Sequence, residues 1–139
     1  MKLRVSVAAA CVAAGCLLLQ ASADDKKDKE QAKEVVVNGE LVNADLKDRV
    51  RTQCFCKTYT FKMIEGKIYQ IDMRSKVLDS FLRLEDPNGQ QVSEDDDSGG
   101  NLDARIVYQA VMTGDYQIIA TSFDQALGKF TLAVKEKTK

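Results

Sequence analysis

The run Glu94 to Gly100, "EDDDSGG", sets four consecutive acids ahead of two glycines. Three kinds of chemistry use such residues. Paired carboxylates can work as acid and base, but glycosidic cleavage needs two carboxyls facing each other across a cleft. These stand side by side in one loop, and no second cluster of that character occurs, so the run predicts no catalysis. Calcium is the second option, since the ion takes about six to eight oxygens from flexible donors. Asp95, Asp96, Asp97, Ser98 and nearby carbonyls could supply much of that set, and Asp79, just before "SFLRL", could reach the same rim from a neighbouring strand end. Close carboxylates repel unless a cation or hydrogen bonds offset the repulsion. An EF-hand is excluded. Counted from Asp95, the residues Asp97, Gly100 and Asp103 fall at the third, sixth and ninth places, but Ile106 stands where the bidentate glutamate belongs. The third option is a solvated turn, in which Asp side chains cap backbone amides and Gly99-Gly100 permits positive φ. The expectation is that turn, pinned by Asp96 or Asp97, with calcium at Asp79, Asp95, Asp96 and Asp97 as the one cofactor option.

The second chemically capable pair is Cys54 and Cys56 in "QCFCK". In an extended strand both thiols point to one face. An oxidising compartment would oxidise a free pair, and a direct Cys54–Cys56 bridge closes a small, strained ring that is comparatively reducible. A redox or soft-metal site therefore has to be weighed. Against it, the spacing is not that of thioredoxin-type motifs, no helix N-terminus is expected to lower a thiol pKa, and two thiolates make an incomplete zinc site. A local disulfide or two packed thiols is the expected role.

Histidine is absent from all 139 residues. That absence removes Ser-His-Asp and Cys-His catalysis, His-ligated zinc and the commonest general base near neutral pH. Tryptophan is absent too, which weakens the usual sugar-stacking platform.

The opening residues read as an export signal over 1–23. Lys2 and Arg4 precede the uncharged run "VSVAAACVAAGCLLL", and "ASA" ends at Ala23 ahead of "DDKKDKE". The apolar run is short for a membrane span, so no span is expected in the mature chain. A lipoprotein reading, with Cys16 of "VAAGC" lipidated, is the minor alternative; "LLL" follows where such proteins turn polar. Lys2 and Arg4 leave with the signal, so 18 of the 20 basic residues face 21 acids, a net charge of about −3. That balance provides no basic footprint for nucleic acid and no polybasic stripe for an anionic membrane.

What must position the acids and thiols is a set of short strands. Residues 24–33, "DDKKDKEQAK", cannot bury enough apolar area to offset their ordering entropy and read as a charged linker. From residue 34 to 136 the pattern has period two, leaving 137–139 as a tail. "VVVNGELV" signals a hairpin at Asn38-Gly39. "KTYTFKM" sets Tyr59, Phe61 and Met63 on one face, and "KIYQIDM" does the same with Tyr69, Ile71 and Met73. Leu82 and Leu84 point inward in "SFLRLEDPNG", which closes on a Pro87-Asn88-Gly89 turn. "ARIVYQAV" and "DYQIIATSF" flank a turn at Met112–Asp115, and "GKFTLAV" ends the domain with Phe130, Leu132 and Val134 inward. About seven to nine strands with such regular turns predict an all-β, antiparallel sandwich. Tyr108 and Tyr116 alternate as core residues do.

The order of these segments resembles the bacterial pre-peptidase C-terminal domain. The resemblance rests on "YTFKMIEGKIYQIDM", "LDSFLRLEDPNG", "DDDSGG", "ARI", "GDYQIIA" and "GKFTLAV", which run in the family's order from Gly39 to Val134. It implies a jelly-roll-like β-sandwich and a non-catalytic binding or targeting module of secreted proteins. Related sandwich domains in collagenases bind collagen and calcium. The module is expected to stand without a peptidase, which sets a role in peptidase maturation aside from what the resemblance implies. The expected protein is secreted, periplasmic or in the cell envelope, monomeric, and bound to an extracellular or cell-surface protein or polysaccharide. An exported thiol protein using Cys54 and Cys56, or a structural envelope component, are the alternatives.

Overall fold

The computed structural model describes residues 33–138. The expected signal over 1–23, Cys16 and nearly all of the charged segment 24–33 lie outside the described residues. Eight strands follow one another: β1 (Val35–Leu41), β2 (Cys56–Met63), β3 (Ile68–Arg74), β4 (Ser80–Glu85), β5 (Gln91–Asp95), β6 (Ala104–Gln109), β7 (Gly114–Ser122) and β8 (Gly128–Lys137). They form two four-stranded sheets, ordered β1-β8-β3-β6 and β2-β7-β4-β5, with every pairing antiparallel. This interleaved order is the jelly roll. No helix among the described residues is long and apolar enough to cross a membrane.

The period-two pattern sets the core. Met63, Tyr69, Ile71, Met73, Leu82, Leu84, Ile106, Tyr116, Ile118, Phe130, Leu132 and Val134 meet between the sheets and are buried. Tyr116 is fully enclosed and Tyr108 packs on it, ring centroids 5.9 Å apart, so both tyrosines are core residues.

One turn expectation fails. Asn38-Gly39 makes no hairpin; it runs straight through β1, whose residues pair with β8 from Val35↔Val134 to Leu41↔Gly128. Gly39 is there for space. A Cβ at that position would strike the Phe130 ring and lie 2.6 Å from the Tyr59 hydroxyl. The glycine lets those two rings meet edge to face, centroids 6.4 Å apart.

The connections are unequal. At one end lie tight turns: 64–67 between β2 and β3, 86–90 between β4 and β5, and 110–113 between β6 and β7. At the other end lie 75–79 and 123–127 together with the two long connections, 42–55 and 96–103. Residues 42–55 do more than connect. They fold back over the outer face of the second sheet, which explains why all six residues of β4 are buried although its pattern alternates. Beneath them Arg83 is almost fully enclosed, with Nη2 2.5 Å from Asp48 Oδ1, Nε 2.8 Å from Asp48 Oδ2 and Nη1 3.0 Å from Glu85 Oε1. Arg49 reaches from the same segment to Glu85 and to the Gly89 carbonyl.

Candidate binding rim

The long-loop end gathers the residues singled out by type. The loop after β5 is built on Asp95. Its Oδ2 accepts the Ser98 amide at 3.0 Å and the Arg105 amide at 2.8 Å, and its Oδ1 takes the Ser98 hydroxyl at 2.5 Å. The pinning acid is thus Asp95, in place of the expected Asp96 or Asp97. The reason is register: Asp95 is the last residue of β5, opposite Leu82 on β4, so its carboxylate sits where the chain leaves the sheet. Gly99 and Gly100 complete the turn. The Gly99 amide donates to the Asp103 carbonyl at 2.9 Å, a Cβ at Gly99 would stand 2.8 Å from that oxygen, and Gly100 takes φ of 83°. Asp103 Oδ1 accepts the Ser75 amide at 3.1 Å, tying this loop to the β3–β4 connection.

Asp96 and Asp97 are left to the surface, and Asp79 does reach their rim. Its carboxyl is half-buried, and burial together with the charges of Asp124, Asp96 and Asp97 raises its pKa above the ordinary value, opposed by Arg51. Asp124 comes from the β7–β8 loop, and the sequence reading had not singled it out. The loops are joined by backbone, since the Phe123 amide donates to the Asp79 carbonyl at 2.8 Å and the Ser80 amide to the Leu102 carbonyl at 3.0 Å. No group of three or more His, Cys, Asp or Glu side chains among the described residues is arranged to hold a metal ion.

Amid these acids lies an aromatic stack. Phe81 and Phe123 pack with centroids 6.3 Å apart, and the Arg51 guanidinium covers them at 4.1 and 5.2 Å. Arg51 also donates to the Phe123 carbonyl at 2.9 Å. Phe123 nevertheless stays 50 % exposed, and Val50, Val77, Leu102 and Leu127 are exposed at the same end.

The cysteines sit apart from this rim. Cys54 is buried in the turn before β2, where its amide donates to the Arg51 carbonyl at 2.8 Å. Cys56 opens β2 on the outer face under residues 42–55, and both are free thiols. Burial and the nearby Asp48 carboxylate push the Cys56 thiol above its ordinary pKa. The site therefore disfavours a thiolate. Beside it, Asp45, Leu46, Thr58, Arg83 and Gln117 help line a groove of about 440 Å³.

No family model and no curated protein matches the sequence. Among solved structures, the chain is similar to the pre-peptidase C-terminal domain of a collagenase from Bacillus anthracis, with a TM-score of 0.57 at 16% identity. That match covers 73% of this chain and 89% of the other. It is also similar to PliG of Aeromonas hydrophila, a periplasmic lysozyme inhibitor of g-type lysozyme, with a TM-score of 0.52 at 11% identity over 77% of this chain and 87% of that one. The strand order, the turns and this backbone likeness agree: the chain has the fold of the pre-peptidase C-terminal domain.

Proposed function

We propose that the chain is an exported, non-catalytic binding module whose long-loop rim docks a cationic protein surface outside the cytoplasm. The observation that carries this reading is that the charges of Asp124, Asp96 and Asp97 all act on Asp79, whose carbonyl accepts the amide of the half-exposed Phe123. Such an arrangement suits a partner lysine or arginine, whose stem covers the ring while its charge meets a carboxylate. Burial first and then the neighbouring carboxylates raise the Asp79 pKa, and an incoming cation relieves the repulsive part. Two further facts support the reading. The chain contains no histidine, and the similar structures are a domain of a collagenase and a periplasmic lysozyme inhibitor. A cationic lysozyme is accordingly the first partner to test.

The test is binding to g-type lysozyme by interferometry, for the native protein and a variant carrying Asp79→Asn, Asp96→Asn, Asp97→Asn and Asp124→Asn. The expected result is saturable binding that weakens with salt and falls by about tenfold or more in the variant. Equal binding by the two proteins would discard the rim. The variant Cys54→Ser with Cys56→Ser is expected to bind as the native protein does, whereas an exported thiol protein would lose its activity.

A further inference from the structure

A second feature lies on the outer face of the other sheet, away from the acidic half of the rim. Register places Asn38 of β1, Thr131 of β8 and Arg74 of β3 in one row across three adjacent strands. Lys129 stands two residues along β8 toward the long-loop end, and the β3–β4 connection brings Ser75, Lys76 and Val77 over the row. Together with Gly39, Phe130 and Asp103 they line a pocket of about 590 Å³. That volume falls within the range of small-molecule sites, about 300–1,000 Å³.

The charge of this pocket is lopsided. Arg74, Lys76 and Lys129 face a single lining acid, Asp103, one of whose oxygens already accepts the Ser75 amide. Among the described residues the one ion-pair contact of Arg74 is to Asp72 at 3.8 Å, and Asp72 is itself held by Arg105 at 2.5 Å and Gln70 at 2.7 Å. The Arg74 guanidinium thus keeps donors to spare. Thr131 donates its hydroxyl to Asn38 Oδ1 at 3.2 Å, which turns the Asn38 amide nitrogen toward other acceptors. The pocket wall is also fixed. The Ser75 hydroxyl donates to the Lys129 carbonyl at 2.7 Å and accepts the Val77 and Leu78 amides, locking the overhanging connection. Val77, 62% exposed, supplies apolar surface beside the cations.

We infer that this pocket binds an anionic pyranose, a sugar ring bearing a carboxylate or sulfate group. The oxyanion pairs with Arg74 and Lys129, Lys76 closes from above, the ring lies against Val77, and Asn38 donates to a hydroxyl. An inorganic ion would leave most of the volume unused, and a neutral sugar would leave the cations unpaired. The inference is independent of the protein-docking reading, because none of Asp79, Asp96, Asp97, Asp124 and Phe123 lines the pocket.

The test is calorimetry and ligand-observed NMR on the purified protein with glucuronate, galactose 6-sulfate, glucose and sulfate ion. Saturable binding of glucuronate or the sulfated sugar is expected, with glucose weaker by about tenfold or more, as expected for loss of charge-assisted pairs. Which of the two binds tells carboxylate from sulfate. Arg74→Ala and Lys129→Ala, both at exposed positions that leave the core intact, are each expected to weaken binding by about tenfold. The four-Asp rim variant is expected to bind sugar as before, which separates this site from the docking surface. No saturable binding of either acidic sugar, equal binding of glucose, sulfate ion binding as tightly as the sugars, or unchanged affinity in both variants would overturn the assignment.

Discussion

At the scale of single residues, position along a strand decided what each acid does. Four adjacent aspartates and glutamates look alike in the sequence, yet only Asp95, at the strand's last rung, meets backbone donors from both sides of the loop. That selection depends on where β5 ends relative to β4, which local composition does not contain. Asp48 was invisible for a stronger reason. Its partner Arg83 is 35 residues away, and the pair exists only because residues 42–55 cover the sheet. Burial by itself would raise the pKa of Asp48, but the Arg83 side-chain bonds, the amides of Val50 and Arg51 and the Arg83 charge hold it below the ordinary carboxylate range. Its contribution is therefore present above that range and is lost as pH falls through the lowered folded value. Asp72, held low in the same way against its burial by Arg105 and Gln70, acts in the same window. Asp79 has the opposite sign, since its raised pKa makes protonation favour the folded state. Acid titration followed by circular dichroism should show the net loss of stability setting in on the acid side of the ordinary carboxylate pKa. Replacing Arg83 with Ala leaves Asp48 and Glu85 buried without their cation and is expected to cost about 3–5 kcal/mol in denaturant unfolding.

At the scale of elements, most strands were readable because one face of each is buried, and a slip of one residue would expose that face. The expected alternations of Tyr59, Phe61 and Met63, of Tyr69, Ile71 and Met73, and of Phe130, Leu132 and Val134 all point to the core. The failure at Asn38-Gly39 is equally physical. A turn dipeptide yields to seven consecutive pairings with β8 when the glycine is needed beneath a ring. Gly39→Val is accordingly expected to destabilise the fold by about 1–3 kcal/mol through overpacking against Phe130 and Tyr59, measured as a lowered midpoint of thermal unfolding. The buried outer face of β4 was legible only in part. Its apolar alternation showed Leu82 and Leu84, but Phe81, Arg83 and Glu85 are buried by a segment with no pattern of its own.

At the scale of the whole molecule, the sequence showed that the chain is a sandwich, while the interleaved strand order rests on pairings between distant segments that periodicity does not encode. The same is true of both surface sites. The acidic run announced one half of the rim, but Asp124 and Phe123 join it only because β7 ends beside β4. The cationic pocket had no linear signature, since Asn38, Arg74 and Lys129 come from three strands. The jelly roll thereby separates two jobs. Tight turns close one end, and the long connections at the other end present a fixed acidic, aromatic surface. Hydrogen exchange of the protein with and without bound lysozyme tests that division most directly. Protection is expected in 75–79, 96–103 and 123–127, with the turns at 64–67, 86–90 and 110–113 unchanged. Protection confined to those turns, or none anywhere at saturating lysozyme, would contradict it.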